Sequence, residues 1–371
     1  MDKKEILVNH GTNYKEMTKE LLEASDLIGR IPDRSCKVGI KPNLVSPSKA
    51  SEGATTHPEV VAGIVEYLQM YGVNRIYIME GAWVGAKTSE AVRVCGYDKL
   101  CRHYQVEFVD SQKDSWEKKD CKGMELAVCA CADAVDFMIN VPVLKGHCQT
   151  KITCALKNMK GLIPNAEKRR FHQMGLHRPI AHLAAGIRQD FIVVDHICGD
   201  LDFEDGGNPV VRNQVWTAVD PVLVDAWVCR MMGYRKEEVA YIGMAEELGV
   251  GCGDWTQAQV HEYKEGELSK VDFQDFSVPK SRKVVELQDA VEEVESCSAC
   301  YGYLLPALDR LREEGLLSKL DTKICIGQGY KKQSGRLGIG NCTKGFTHCL
   351  PGCPPMPDEI YQFLKEYLLK L

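Results

Sequence analysis

The chain contains no window of about 18 uncharged apolar residues, so no membrane-crossing helix is expected. Its opening, MDKKEILVNHG, lacks an apolar core segment and runs directly into a strand pattern, so no signal peptide is expected. No G-x-G-x-x-G follows a strand and no Walker A sequence occurs, which leaves nicotinamide and ATP without motif support; Gly327-Gln-Gly329 is too short to count. An excess of basic residues is missing too. The 46 Lys and Arg against 52 Asp and Glu give a net charge of −6, so neither nucleic acid nor an anionic membrane is an expected partner. We find no internal repeat and no low-complexity tract. What remains is the composition of a cytoplasmic globular protein, 44% hydrophobic and 26% charged, whose 371 residues suit one large domain or two.

Cysteine, by contrast, is abundant, with 17 residues. A reducing compartment disfavours structural disulfides, so clustered cysteines there point to metal or catalysis. Cys36, Cys95, Cys101, Cys129, Cys131, Cys198 and Cys229 are scattered among apolar neighbours and read as small buried hydrophobes.

Residues 1–250 alternate β-branched runs with amphipathic segments. EILVNH, KVGIKPNL, RIYIME, VEFVDS, DFMINVPVLK and FIVVDH read as strands, and HPEVVAGIVEYLQMYG and DPVLVDAWVCRMMG read as helices. This alternation predicts an α/β domain with a largely parallel sheet and helices on both faces. Residues 251–295 are polar with little periodicity and read as a linker or peripheral segment. Residues 296–371 read as a smaller α/β cysteine-rich unit: a helix from CSACYGYLLPALDRLREEGLL, a strand from KICIGQGY and a terminal helix from MPDEIYQFLKEYLLKL.

That unit holds Cys297-Ser-Ala-Cys300, then Cys325, Cys342, Cys349 and Cys353. A C-x-x-C pair opening a helix sets two thiols one turn apart at the positive end of the helix dipole. Two further cysteines from the following loop complete a four-thiolate site, suited to tetrahedral zinc or an iron–sulfur cluster. A second C-x-x-C, usual in zinc ribbons, is lacking. One pair plus two isolated, Gly/Pro-flanked cysteines fits a cubane cluster better.

Three stretches of the first domain are polar where loops join strands and helices. In IKPNLVSPSKASEGATTHPEVV, Lys41 and Asn43 end a strand and lead through Thr55 and Thr56 to His57 at a helix start. Ligands of open α/β sheets bind at strand carboxyl ends, so this is a candidate anion pocket, or simply a helix capped by Thr55 or Thr56. In VPVLKGHCQTKITCALKNMKGLIP, Lys145 and His147 follow a strand, and Lys157, Asn158 and Lys160 form a cationic group ending at Gly161. In EKRRFHQMGLHRPIAHL, His172, His177 and His182 are spaced by five and five, which does not stack them on one helix face for a metal. Asp195 follows a strand, Asp220 sits where an N-cap belongs, and Asp225 lies within the helix.

Two resemblances follow from these residues. LPGCPPMPDEI resembles the Gly-Cys-Pro-Pro segment of the small subunit of nickel–iron hydrogenase and of the cluster-bearing subunit of respiratory complex I. The resemblance implies a [4Fe–4S] cluster on Cys297, Cys300, Cys342 and Cys353, with Cys349 as the substitute and Cys325 left over. KPNLVSP…TTHPEVV, VPVLKGH…ALKNMKGL and AVDPVLVDA resemble the family called domain of unknown function 362, over roughly residues 35–235. Many members carry a ferredoxin-type insert, absent here, so the family implies fold and an iron–sulfur association rather than a reaction.

The expectation is an iron–sulfur oxidoreductase acting on a small anionic substrate or cofactor. Lys41, Lys145, Lys157 and Lys160 are to hold the anion with Asn43, Thr55, Thr56 and Asn158, while His57, His147 or His172 moves protons. The alternatives are a non-enzymatic electron carrier or assembly factor docking on a partner redox protein, and a zinc-stabilised binding protein.

Overall fold

The computed structural model describes residues 1–272 and 283–370. Nine strands form one large sheet, in the order Glu267–Lys270, Gln259–Lys264, Glu5–His10, Pro209–Ala218, Phe191–Asp200, Phe137–Val141, Val38–Pro42, Ile76–Glu80 and Glu107–Asp110. Five neighbouring pairs are parallel and three antiparallel. The chain therefore adopts the α/β class expected from its alternating strands and helices.

Strand periodicity explains why the sheet is covered twice. Successive side chains point to opposite faces. Val193 packs into one core with Val38, Ile40, Ile139 and Val215, while its neighbours Ile192 and Val194 enter the other with Met138 and Trp216. The helix Pro58–Met70 covers the first of these faces through Val60, Val61, Ile64, Val65 and Leu68, with Pro58 preset at its first turn.

A separate sheet of four parallel strands, Val291–Glu293, Ile324–Ile326, Leu337–Ile339 and His348–Leu350, follows. The helices Ser298–Glu313 and Pro357–Leu369 close its core, built from Leu304, Leu308, Ile326, Ile339, Ile360 and Leu364. Cys148 and Phe203 of the larger unit enter that same cluster, so the two units share apolar packing.

The segment 251–295, read as a linker or peripheral segment, takes part in both sheets. Gln259–Lys264 pairs in parallel with Glu5–His10, and Glu267–Lys270 closes the edge. The first unit's sheet thus runs past residue 250, and Val291–Glu293 already belongs to the second sheet. Its polar composition is that of a sheet edge: all four residues of Glu267–Lys270 are exposed. Residues 273–282 of this segment lie outside the described residues. Lys145 and His147 follow the strand Phe137–Val141, as expected, and themselves form a short strand paired with Lys151–Thr153.

Candidate functional site

The three strands Val38–Pro42, Phe137–Val141 and Ile76–Glu80 are parallel, so their carboxyl ends lie side by side. Lys41 pairs in register with Asn140 and is fully buried. Its Nζ donates to Glu80 Oε2 at 2.6 Å, to Pro42 O at 2.8 Å and to Asn158 Oδ1 at 3.3 Å. Burial pushes the Lys41 ammonium down from its ordinary range, and Glu80 pushes back. Asn158 in turn donates through Nδ2 to Asn140 Oδ1 (2.7 Å) and Lys41 O (3.1 Å). Gly161 is required here: a Cβ on it would lie 1.7 Å from Glu80 Oε1.

Above these strand ends lies a cavity of about 80 Å³, room for roughly five waters. Asn43, Lys145, Lys157, Asn158, Lys160, Lys168 and His172 line it, together with Glu80, Glu204 and Cys297. Lys145 Nζ donates to Ala54 O (2.6 Å) and Glu204 O (2.7 Å), and Lys168 Nζ to Gly81 O (2.9 Å) and Ala82 O (2.8 Å). Lys157 Nζ lies 3.5 Å from Glu204 Oε2. Lys160 sits over the Phe171 ring, 5.8 Å from its centroid. Burial lowers Lys145 to about 7 and Lys168 to about 8. It lowers Lys160 to about 7, helped by the Lys157 charge.

Glu204 is the counter-charge of this group. Burial opposes its ionisation, but the neighbouring Lys157 and Lys145 and a hydrogen bond from His147 together hold its carboxyl well below the usual range. His147 Nε2 faces Glu204 Oε2, and Cys148 Sγ lies 3.9 Å from Glu204 Oε1. His147, Cys148 and Glu204 bring three ligand-type atoms within 4.8 Å of one another, a candidate metal-binding group. The imidazole argues against a metal there. His147 Nδ1 accepts from Gln149 N (3.0 Å) and Thr150 N (3.2 Å), so the proton of the neutral ring is on Nε2, aimed at the carboxylate. Burial keeps that ring neutral by lowering it to about 3. His147 is thus spent on Glu204 and does not line the lysine cavity.

His172 does line it. Its Nε2 is 3.4 Å from both Ser298 N and Ser298 Oγ, its Nδ1 is buried with no partner among the described residues, and burial holds it neutral. His177 and His182 go elsewhere: His177 stacks on Tyr241, and His182 Nδ1 faces Cys121 O at 2.8 Å. His57 is also outside the cavity, bonded to Asp195. Thr55 and Thr56 do not cap the following helix. Thr55 donates to Ser48 O, and Thr56 to Val141 O while accepting from Asn43 N. Asp220 caps its helix through Val222 N and Leu223 N, and Asp225 accepts from Ala155 N and Leu156 N.

In the second unit, Cys297 follows the strand Val291–Glu293 at the N-cap of Ser298–Glu313, and Cys300 is in that helix's first turn. Cys342 follows Leu337–Ile339 and Cys353 follows His348–Leu350, so these cysteines lie past carboxyl ends of parallel strands. Burial raises the Cys297 thiol to about 11; Arg169 pulls down, and Cys342 and Cys353 push it further up. Cys300 is raised still more by burial, then by Cys297, Cys353 and Cys342. Gly340, at φ +90°, turns the chain so that a Cβ there would lie 4.0 Å from Cys300 Sγ. Cys349 is engaged differently, with Thr343 Oγ1 at 3.5 Å and Gly340 O at 3.7 Å, and Cys325 lies within a strand beside Tyr330.

A family model described as domain of unknown function (DUF362) matches residues 38–230, more than half of the chain. The chain belongs to the DUF362 family. The matched span takes in every cavity residue of the larger unit and stops well before the cysteines of the smaller one. A thylakoid-associated protein of Synechocystis is 26% identical over 154 residues, 42% of this chain and 47% of its own length; the chain thus spans about half of that relative. Two solved structures overlap in part. A lactate racemase apoprotein from Thermoanaerobacterium thermosaccharolyticum has 15% identity, covering 57% of this chain and 54% of its own, with a TM-score of 0.38. A Thermotoga maritima protein has 12% identity, covering 67% and 61%, with a TM-score of 0.37.

Three functional-looking residues of this DUF362 domain escaped sequence reasoning: Glu80, Lys168 and Glu204. Glu80 closes the strand RIYIME, and the rule that found Lys41 at its strand end would have found it. Lys168 and Glu204 sit in charged stretches, EKRR and LDFEDGG, where one more charge carries no local signal.

Proposed function

We propose that the protein is an iron–sulfur redox protein acting on a small anion. A [4Fe–4S] cluster on Cys297, Cys300, Cys342 and Cys353 would stand beside the cavity that holds the anionic substrate or cofactor. One observation carries the reading: Cys297 lines the same cavity as Lys145, Lys157, Lys160 and Lys168.

The donor set fits such a group. Cys297, Cys342 and Cys353 each raise a neighbouring thiol of this set, so the cysteines are costly to ionise together and favour a cation that displaces their protons. The positive end of a helix and Arg169 favour the thiolate form of the same sulfurs. A bound cluster supplies one-electron chemistry. The chain's own residues supply the rest. Lys157 and Lys160 bind the anion, Lys41 and Asn158 brace the cavity floor, and the small volume excludes bulk water. His172 presents an unpartnered Nδ1 able to carry one proton. A docking surface for a partner redox protein needs exposed lysines, whereas Lys41, Lys145 and Lys168 are buried, which favours a small ligand over a carrier role.

Anaerobic purification and reconstitution test the reading. Iron and acid-labile sulfide near four each per chain are expected, with absorbance that dithionite bleaches. Phosphate or a small carboxylate should perturb the paramagnetic signal of the reduced protein. A colourless zinc protein would overturn the assignment.

A further inference from the structure

His57 and Asp195 stand apart from the lysine cavity, yet they are not idle. Asp195 Oδ2 accepts from His57 N at 2.7 Å and faces His57 Nδ1 at 2.9 Å, while Asp195 Oδ1 accepts from Ile197 N at 3.0 Å. The other ring nitrogen, Nε2, faces Cys198 Sγ at 3.6 Å. Cys198 reaches this position because the strand Phe191–Asp200 breaks register with its neighbour between His196 and Cys198. A carboxylate orienting an imidazole whose far nitrogen meets a sulfur is the arrangement that activates a nucleophile.

We propose that Cys198, His57 and Asp195 form a second reactive site, a nucleophilic thiol open to small uncharged electrophiles. The limit on size comes from burial: Cys198 is 6% exposed, His57 9% and Asp195 0%. Tyr14 packs edge-on against the His57 ring with centroids 5.5 Å apart, its hydroxyl held by Asn213 Oδ1 at 2.9 Å, and so covers the approach. Asp195 acts through His57 and is a positioning residue. It binds Nδ1–H and favours the imidazolium form of the ring, whose second proton, on Nε2, then stabilises negative charge on sulfur. Cys198 Sγ also lies 3.3 Å from Ala50 O, which takes the thiol hydrogen in the resting state. Ionisation therefore gives up one hydrogen bond to the carbonyl and gains a charge-assisted one from the imidazole. Asp195 supports the charged ring, and His57 is raised to about 10 against the opposing effect of burial.

Iodoacetamide is a suitable probe. The Cys198 thiolate attacks its methylene carbon, an S–C bond forms, the C–I bond breaks, iodide leaves with the electron pair, and the thiol proton goes to solvent. Brief labelling of the intact protein, followed by peptide mass spectrometry, gives a rate for each cysteine. Cys36 and Cys95 are the internal standards, since each is 5% exposed and neither faces an imidazole in the bonds described. Cys198 should label at least tenfold faster than either. His57→Gln should slow Cys198 about tenfold in the folded protein while leaving the rates at Cys36 and Cys95 unchanged. Tyr14→Ala should speed it. Equal rates at Cys198, Cys36 and Cys95 in both the wild type and Tyr14→Ala would overturn the proposal, as would an unaltered Cys198 rate in a folded His57→Gln protein. Should His57→Gln not fold, the wild-type and Tyr14→Ala rates decide alone.

Discussion

The lysine-lined interior of the larger unit and the cysteine loops of the smaller one handle buried polar groups in opposite ways. In the first, charge meets charge or carbonyl within the chain: Lys41 with Glu80, Lys157 with Glu204, Lys145 and Lys168 with backbone oxygens. In the second, Cys297, Cys300 and Cys342 are raised by burial and by neighbouring cysteines, Cys353 in each case, and cationic neighbours such as Arg169 offset this. A network that closes on itself is a scaffold with one vacancy, the cavity. A group of thiols raised by burial and by their neighbours is the donor set on which the proposed cluster would sit. On the proposed reading, the difference predicts that the smaller unit depends on a ligand for stability and the larger one does not.

The comparison breaks most visibly at Cys300. Cys300→Ser should lose most of the iron after reconstitution and loosen the four-stranded unit, because metal-binding energy is folding energy in such sites. Cys36→Ser and Cys349→Ser should retain iron. Iron content unchanged in Cys300→Ser removes the contrast altogether.

Next in size is Glu204→Gln, which strips Lys145 and Lys157 of their shared counter-charge and His147 of its carboxylate acceptor. Breaking a buried ionic network at one partner costs about 3–5 kcal/mol. Chemical denaturation measures it, and a loss under about 1 kcal/mol would show that the lysines are neutral already.

A third test uses pH. Lys168 titrates at about 8 in the fold and in the ordinary lysine range when unfolded. Between those values the unfolded chain binds more protons, so its contribution to stability rises with pH. Wild type should therefore gain on Lys168→Met from about pH 8 upward, by as much as about 1.4 kcal/mol per unit. A difference that stays flat across that range refutes the buried, lowered ammonium.

The smallest effect is expected at Lys160, whose neighbours Lys157 and Lys168 repel it. Lys160→Met should stabilise the anion-free protein by up to about 1 kcal/mol and weaken phosphate binding roughly tenfold, which is worth about 1.4 kcal/mol. Calorimetry showing undiminished affinity would place the anion elsewhere.

How much of this was legible beforehand depends on the range of the interaction. The strand Glu5–His10 and the helices Pro58–Met70 and Pro221–Met231 were readable because periodicity, an N-terminal proline and a terminal glycine act over one or two turns. The edge hairpin of residues 259–270 was not, since an edge strand facing water need not alternate. Lys41, Lys145, Lys157 and Lys160 stood out because lysines at strand and helix ends are unusual in apolar surroundings. Their partner Glu204 did not, because its importance comes from residues far away in the chain. His57 was noticed, but its bonding to Asp195 and Cys198 rests on a pairing irregularity that no local pattern announces.

The wall at Cys297 also has a consequence in time. Synthesis runs from the amino end, so every lysine of the cavity leaves the ribosome long before residues 297–299 do. A nascent chain ending near residue 290 would hold an open cup, wet and unselective. Only when the carboxyl-terminal unit docks, with Ser298 on His172 and Gln149, does the cup gain the wall that Cys297, Ser298 and Ala299 supply. A truncated or half-made copy therefore lacks one wall of the cavity.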